Sequence, residues 1–96
     1  MLLVVSYDVN TVAPEGSKRL RKVARLCEKY GVRVQNSVFE LDIDPAQETI
    51  LRCGLERIID PEKDSVRFYR LGKSWKNKVD SIGRKQLITF GDDLIL

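Results

Sequence analysis

Histidine is absent from this sequence of 96 residues. Its absence excludes Ser–His and Cys–His catalysis, imidazole proton relays, and the zinc, copper and iron sites that depend on imidazole ligands. Ser6 and Ser37 therefore lack a base that would activate them as nucleophiles. Any metal ion that binds to this chain is expected to be a hard ion held by oxygen atoms.

Cysteine is scarce and long hydrophobic runs are missing. Cys27 and Cys53 form no C-x-x-C motif, which argues against a disulfide framework and against a redox motif. The first ten residues contain only the short apolar run LLVV with no basic segment before it, unlike a signal peptide. No stretch approaches the roughly 20 apolar residues of a membrane span. We expect a cytoplasmic, soluble protein with no membrane partner.

Length and composition predict one folded domain. The chain has 43% hydrophobic and 32% charged residues, which is typical of a globular protein. A domain of this size buries only somewhat more than ~60% of the surface of its unfolded chain, so a partner subunit would help to stabilise it.

Positive charge is concentrated in two segments. The net charge is only +3, but residues 18–33 contain seven basic side chains against Glu28 alone. Residues 73–85 contain five more against Asp80, and the segment between, 40–64, is predominantly acidic. A basic chain with segregated charge indicates a polyanion as its partner.

Hydrophobic periodicity predicts six main elements. The predicted ranges are strand 2–9, helix 17–30, two strands within 32–43, helix 46–59 and strand 65–71. A turn at Asn36 and Ser37 separates the two middle strands, although one bent strand fits almost equally well. Gly31 is predicted as a left-handed C-cap of the first helix, and Asp44 as the N-cap of the second.

This order of elements predicts an α+β fold, the ferredoxin-like split βαβ sandwich (βαββαβ). We expect residues 1–96 to form a single domain, with a core of 1–72, a basic loop of 73–85 and C-terminal dimerisation strands in 86–96. In a homodimer the bare face of the sheet would be covered, and the extra C-terminal strand would pair with an edge strand of the partner.

The first helix carries a basic face opposite its apolar stripe. Leu20, Val23, Ala24 and Cys27 have the spacing of a buried stripe. Within an arc of about 100° on the far side lie five cations, Lys18, Arg21, Lys22, Arg25 and Lys29. Two interpretations stay open, a solvated surface and a track for nucleic-acid phosphates that would bind without sequence preference.

Asp8 ends the first strand, where a carboxylate gains nothing from the core. One interpretation is a ligand of Mg²⁺, which often takes one or two protein carboxylates and keeps several waters. Two-fold symmetry would then supply a second Asp8. The alternative is that Asp8 starts the turn through Asn10 by hydrogen bonding to the backbone. Tyr7 and Phe39 either stack on bases or belong to the core, and the core is favoured for Tyr7.

Four segments resemble a known family: YDV at residues 7–9, KRLRKVARLCEKYG at 18–31, RVQNSVFE at 33–40 and RFYRLG at 67–72. They are similar to the second core CRISPR-associated protein, the small subunit that acts with the CRISPR integrase in spacer acquisition. The resemblance implies a ferredoxin-like homodimer, and an endonuclease that acts on double-stranded DNA or single-stranded RNA with magnesium, or manganese in its place. It also implies that Asp8 is the catalytic and metal-binding residue, paired with its copy across the dimer interface.

The resemblance also matches Tyr7, Arg33 and Phe39 to motif positions of the family. With the cations of the first helix, the predicted nucleic-acid-binding residues are Tyr7, Arg19, Arg21, Lys22, Arg25, Arg33 and Phe39. Two functions remain, the metal-dependent endonuclease and a non-catalytic DNA-binding adaptor that bridges CRISPR integrase dimers. A ferredoxin-like metal chaperone is excluded because the chain has no paired cysteines.

Overall fold

Six elements build the main part of the fold in a computed structural model, which describes residues 1–83, 89–90 and 93–94. They are β1 (Leu2–Asp8), α1 (Pro14–Glu28), β2 (Gly31–Gln35), β3 (Val38–Asp42), α2 (Pro45–Ile58) and β4 (Ser65–Gly72). A 3₁₀ turn follows at Trp75–Asn77, and two short strands, β5 (Thr89–Phe90) and β6 (Asp93–Leu94), pair with each other. The rest of the predicted dimerisation segment 86–96, and the end of the predicted basic loop, lie outside the described residues.

The main sheet has the strand order β2-β3-β1-β4, and all its neighbouring strands are antiparallel. In the centre of the sheet, Val5 is opposite Phe39 on one side and Phe68 on the other. This topology with two helices confirms the predicted ferredoxin-like α+β fold and the turn between β2 and β3. The pairing of a C-terminal strand with a partner chain stays a prediction.

Alternation along β1 separates a helix-covered face from an open face of the sheet. Leu3, Val5 and Tyr7 are buried in the core together with Phe39 and Leu41 of β3. The predicted stripe of α1 is buried against them, and α2 contributes two leucines, Leu51 and Leu55. Since successive side chains of a strand point to opposite faces, Ser6 and Asp8 lie on the open face.

The start of α1 differs from the prediction. The helix begins at Pro14, three residues before the predicted start, because the fixed φ of proline and its missing N–H suit the first helical position. Gly16 lies in the first turn, where a Cβ atom would come within 1.8 Å of the carbonyl oxygen of Asn10. This close approach packs the loop that follows Asp8 against the helix.

The helix ends also test two predicted caps. Gly31 is not a left-handed cap, because α1 ends at Glu28 with a right-handed C-cap at Lys29. Glycine is needed at position 31 for a different reason: a Cβ there would lie 2.1 Å from the carbonyl oxygen of Glu40 on β3. Asp44 is confirmed as the N-cap of α2. Neither helix in the described ranges is long and apolar enough to cross a membrane.

Candidate functional site

A polar cleft lies on the open face of the sheet, where β1 ends. It encloses about 410 Å³ and receives residues from β1, from the β2–β3 turn and from β4. Its lining consists of Ser6, Tyr7, Asp8, Ser37, Ser65, Arg67 and Tyr69. Serine hydroxyls, one carboxylate and one guanidinium therefore meet in one place, which we call the Asp8 cleft.

The register of the sheet places Asp8 in this cleft. Asp8 is opposite Ser65 of β4, and Ser6 is opposite Arg67. The Asp8 side chain is exposed and has no hydrogen bond or ion pair in the described part of the chain. The alternative in which Asp8 starts the following turn is wrong, since the Asn10 side chain performs that role by accepting a hydrogen bond of 2.9 Å from the N–H of Val12.

The donor atoms in the cleft suit a hard metal ion. Asp8 supplies a carboxylate and the serines supply hydroxyl oxygens, which are the ligand types that Mg²⁺ prefers. The described residues contain no group of three or more carboxylate or thiol side chains that could hold a metal. In one copy of the chain, the lining formed by the described residues includes a single carboxylate, which fits an ion that keeps most of its waters.

Arg33 donates hydrogen bonds to the turn that contains Ser37. Its Nε donates a hydrogen bond of 2.8 Å to the carbonyl oxygen of Asn36, and its Nη2 donates one of 3.2 Å to the Asn36 side chain. The guanidinium also lies 5.8 Å from the centre of the Phe39 ring. The backbone N–H of Tyr7 in turn donates to the carbonyl of Ser37 at 2.9 Å. Arg33 thus fixes one wall of the Asp8 cleft.

Tyr7 and Arg19 meet at a buried carboxylate behind the cleft. The hydroxyl of Tyr7 donates to Asp64, and Arg19 donates to both Asp64 oxygens, from Nε at 2.7 Å and from Nη2 at 3.2 Å. The backbone N–H of Asp60 adds a bond of 3.0 Å. Burial alone would raise the pKa of Asp64, but these hydrogen bonds outweigh it and hold the pKa below its ordinary value. Burial, together with the bond to Asp64, raises the pKa of Tyr7 to about 12.

These positions correct three of the predicted nucleic-acid contacts. The rings of Tyr7 and Phe39 are 1% and 0% exposed, so neither can stack on a base. Arg19 is committed to Asp64 through an ion pair in which the carboxylate is fully buried. All three side chains stabilise the fold on the core side of the sheet, opposite the Asp8 cleft.

The other predicted cations of α1 form an exposed surface. In the described residues none of them has an ion-pair partner, and all are exposed: Lys18, Arg21, Lys22, Arg25 and Lys29. We call this surface the α1 basic face. Because α1 packs on the helix-covered side of the sheet, the α1 basic face and the Asp8 cleft lie on opposite sides of it.

Sequence reasoning missed the residues that β4 contributes. The alternation in SVRFYRLG signals that Arg67 and Tyr69 lie on the face opposite Phe68. The placement of Ser65 opposite Asp8 depends on the register of two strands far apart in sequence, which no local pattern encodes. The same holds for Asp64, whose partners come from β1 and α1.

Comparisons with known proteins point to one family. The profile of the family described as CRISPR associated protein Cas2 matches residues 1–79. The chain is 54% identical over 95 residues to the CRISPR-associated endonuclease Cas2 of Halalkalibacterium halodurans, with 99% of each chain covered. It is 52% identical over 95 residues to the CRISPR-associated endoribonuclease Cas2 3 of Rhodospirillum rubrum, with 99% of this chain and 100% of the relative covered. The crystal structure of Streptococcus pyogenes Cas2 at pH 6.5 is similar with a TM-score of 0.83 and 53% identity, covering 86% of this chain and 100% of that one.

Proposed function

Because this chain belongs to the Cas2 family of CRISPR-associated proteins, we propose that it is an endonuclease of antiviral defence that takes part in spacer acquisition. It hydrolyses phosphodiester bonds of double-stranded DNA or single-stranded RNA. The names of its relatives, endonuclease and endoribonuclease, support this activity. The observation that carries the proposal is Asp8, an exposed carboxylate with no partner among the described residues, in a cleft lined by hydroxyl groups.

Asp8 is the residue that would hold a magnesium ion, or manganese in its place. When bound, such an ion would supply positive charge near the scissile phosphate and lower the pKa of a bound water. The chain itself contributes the carboxylate, held at the end of a central strand, and the hydroxyls of Ser37 and Ser65, which can donate hydrogen bonds to phosphate oxygens. The buried Tyr7–Asp64 contact fixes the strand from behind, so Asp8 is positioned before substrate binds.

The site is proposed to be complete only in a homodimer. The described residues of one chain bring a single carboxylate to the cleft, and a two-fold axis near Asp8 would bring the second. The open face of the sheet, which carries the cleft, is the surface that a second copy would approach.

A second candidate function is a DNA-binding adaptor that works with the CRISPR integrase. The α1 basic face favours it, because its five exposed cations are separate from the Asp8 cleft and lie on the other side of the sheet. Such a surface can hold duplex DNA by its phosphates without cleaving it. In this function Asp8 would be vestigial, since its exposed side chain has no hydrogen bond or ion pair in the described part of the chain.

Cleavage assays with matched variants test the two functions. Labelled double-stranded DNA and single-stranded RNA are incubated with magnesium, with manganese and with chelator, using the wild type, Asp8→Asn and Glu56→Gln. Glu56 is an exposed carboxylate on α2 and serves as the control for a change of charge. Metal-dependent cleavage that disappears only in Asp8→Asn is the expected result. Equal cleavage by all three proteins overturns the assignment of Asp8, and binding of DNA without cleavage by any of them supports the adaptor.

A further inference from the structure

Arg67 is the cation of the Asp8 cleft, and its surroundings differ from those of the other arginines in the sheet. Arg70 pairs with the buried carboxylate of Glu48 on α2. Arg33 donates its hydrogen bonds to the β2–β3 turn. Arg67 has no hydrogen bond or ion pair in the described part of the chain. Its contact is with the ring of Tyr69, whose centre lies 5.5 Å from the guanidinium carbon.

Arg67 also forms no ion pair with Asp8, although both line the same cleft in the described structure. A guanidinium is planar and carries donors in a fork that matches two oxygens of a phosphate. Its stacking on the Tyr69 ring restrains the side chain without using any of these donors. The hydroxyls of Ser37 and Ser65 add two further donors. The cleft therefore presents a restrained cation and two hydroxyls beside the carboxylate, which is a donor set for an anion with several oxygens.

We infer that Arg67 binds a phosphate of the nucleic-acid strand in the Asp8 cleft, and that Tyr69 is the positioning residue that holds its guanidinium. The inference deepens the proposed function and rests on it, because it names the group that fixes the strand beside Asp8. In the endonuclease, Arg67 holds the backbone so that the scissile bond lies at the carboxylate. The contact is with the backbone, so it carries no base preference.

Nucleic-acid binding in chelator tests this role without requiring cleavage. Full-length wild type, Arg67→Gln and Arg67→Lys are titrated with a labelled single-stranded oligonucleotide and with a duplex, at several salt concentrations. Arg57→Gln is the matched control, since Arg57 is an exposed arginine of α2 remote from the cleft lining. Arg67→Gln is expected to weaken binding about tenfold. The slope of log affinity against log salt should also become shallower, by roughly 0.7 to 0.9 for each phosphate that the variant no longer neutralises. Arg67→Lys keeps the charge and should give an intermediate affinity with the wild-type slope.

Substitutions at Tyr69 separate positioning from direct contact. Tyr69→Phe keeps the ring beneath the guanidinium and should bind like the wild type. Tyr69→Leu removes the ring and should weaken binding in the same direction as Arg67→Gln. In the cleavage assay with magnesium, Arg67→Gln should raise KM more than it lowers kcat, whereas a residue with a merely structural role would lower the melting temperature instead.

Three results would overturn the inference. The first is wild-type affinity and salt slope in Arg67→Gln, and the second is an equal weakening in Arg57→Gln. The third is a loosened dimer in Arg67→Gln with unchanged affinity per dimer, which would place Arg67 between two copies of the chain. If the proposed endonuclease activity is wrong, the result is different. Neither the wild type nor any variant cleaves a substrate, while Arg67→Gln still binds nucleic acid more weakly than Arg57→Gln. That result supports Arg67 as a phosphate-binding residue of the adaptor.

Discussion

The hydroxyl of Tyr7 donates a hydrogen bond to the carboxylate of Asp64, a residue 57 positions away in the chain. Arg19 of α1 and the backbone of Asp60 donate to the same carboxylate. One buried acidic group thereby joins β1, α1 and the segment that leads into β4. Since Tyr7 directly precedes Asp8, this contact fixes the position of the site residue from the core side of the sheet.

Asp64→Asn is expected to destabilise the fold by about 2 kcal/mol at neutral pH, because it replaces a fully buried carboxylate, which accepts charged hydrogen bonds from the partly buried Arg19, by a neutral amide. The folded-state pKa of Asp64 lies below its ordinary value of 3.8. Its stabilising effect is therefore present above the pKa of the unfolded chain and declines as pH falls through the folded pKa. Urea unfolding of the wild type and of Asp64→Asn between pH 7 and pH 3 measures how the difference in their unfolding free energies depends on pH. A gap in unfolding free energy that stays constant down to pH 3 would contradict the assignment.

Glu40→Gln is expected to stabilise the protein at neutral pH by about 1 kcal/mol. Glu40 is 7% exposed, and its Oε1 has no hydrogen-bond partner within the described residues. Burial raises its pKa above the ordinary 4.5, so ionisation opposes folding. The gain in unfolding free energy should appear above pH 4.5. It should vanish below that pH, where Glu40 of the wild type is protonated in both the folded and the unfolded state. Thermal unfolding at pH 7 and pH 4 tests it, with Glu56→Gln as the exposed control, and a variant less stable than the wild type at pH 7 would refute it.

Reversal of charge at Arg21 and Arg25 is expected to weaken duplex DNA binding and to flatten its salt dependence, because the α1 basic face would then neutralise fewer phosphates. The comparison is with a double reversal at Arg57 and Lys63, two exposed cations that are not part of α1 and that change the net charge equally. Affinity measured across a series of salt concentrations gives both slopes. If the two double variants share one slope, α1 does not follow the phosphate backbone.

Local sequence patterns predicted most of the fold because each element carries its own signal. The stripe of α1 repeats with helical spacing, and Asp44 forms the expected cap, here as a capping box with Gln47. The predictions that were wrong concern the ends of α1. The helix starts at Pro14, and Gly31 allows a close contact between strands instead of capping the helix.

The candidate site was predictable only in part. Asp8 stands out because a carboxylate follows an apolar strand, and the motif around Arg33 is contiguous. The sequence pattern does not distinguish Arg19 from the surface cations of α1, because its partner Asp64 is 45 residues away in the chain. Which charges are buried and paired, and which remain exposed like Arg67, depends on strand register and helix packing rather than on composition.

The walls of the Asp8 cleft come from segments that are far apart in the chain. Asp8 lies on β1, whereas Ser65 and Arg67 lie on β4, which comes later in the chain and completes the four-stranded sheet. During synthesis the carboxylate of Asp8 is present before the residues of β4 that complete the cleft around it. The site is assembled only when β4 pairs with β1, so in the proposed endonuclease the capacity to bind and cut a strand arises together with the completed fold.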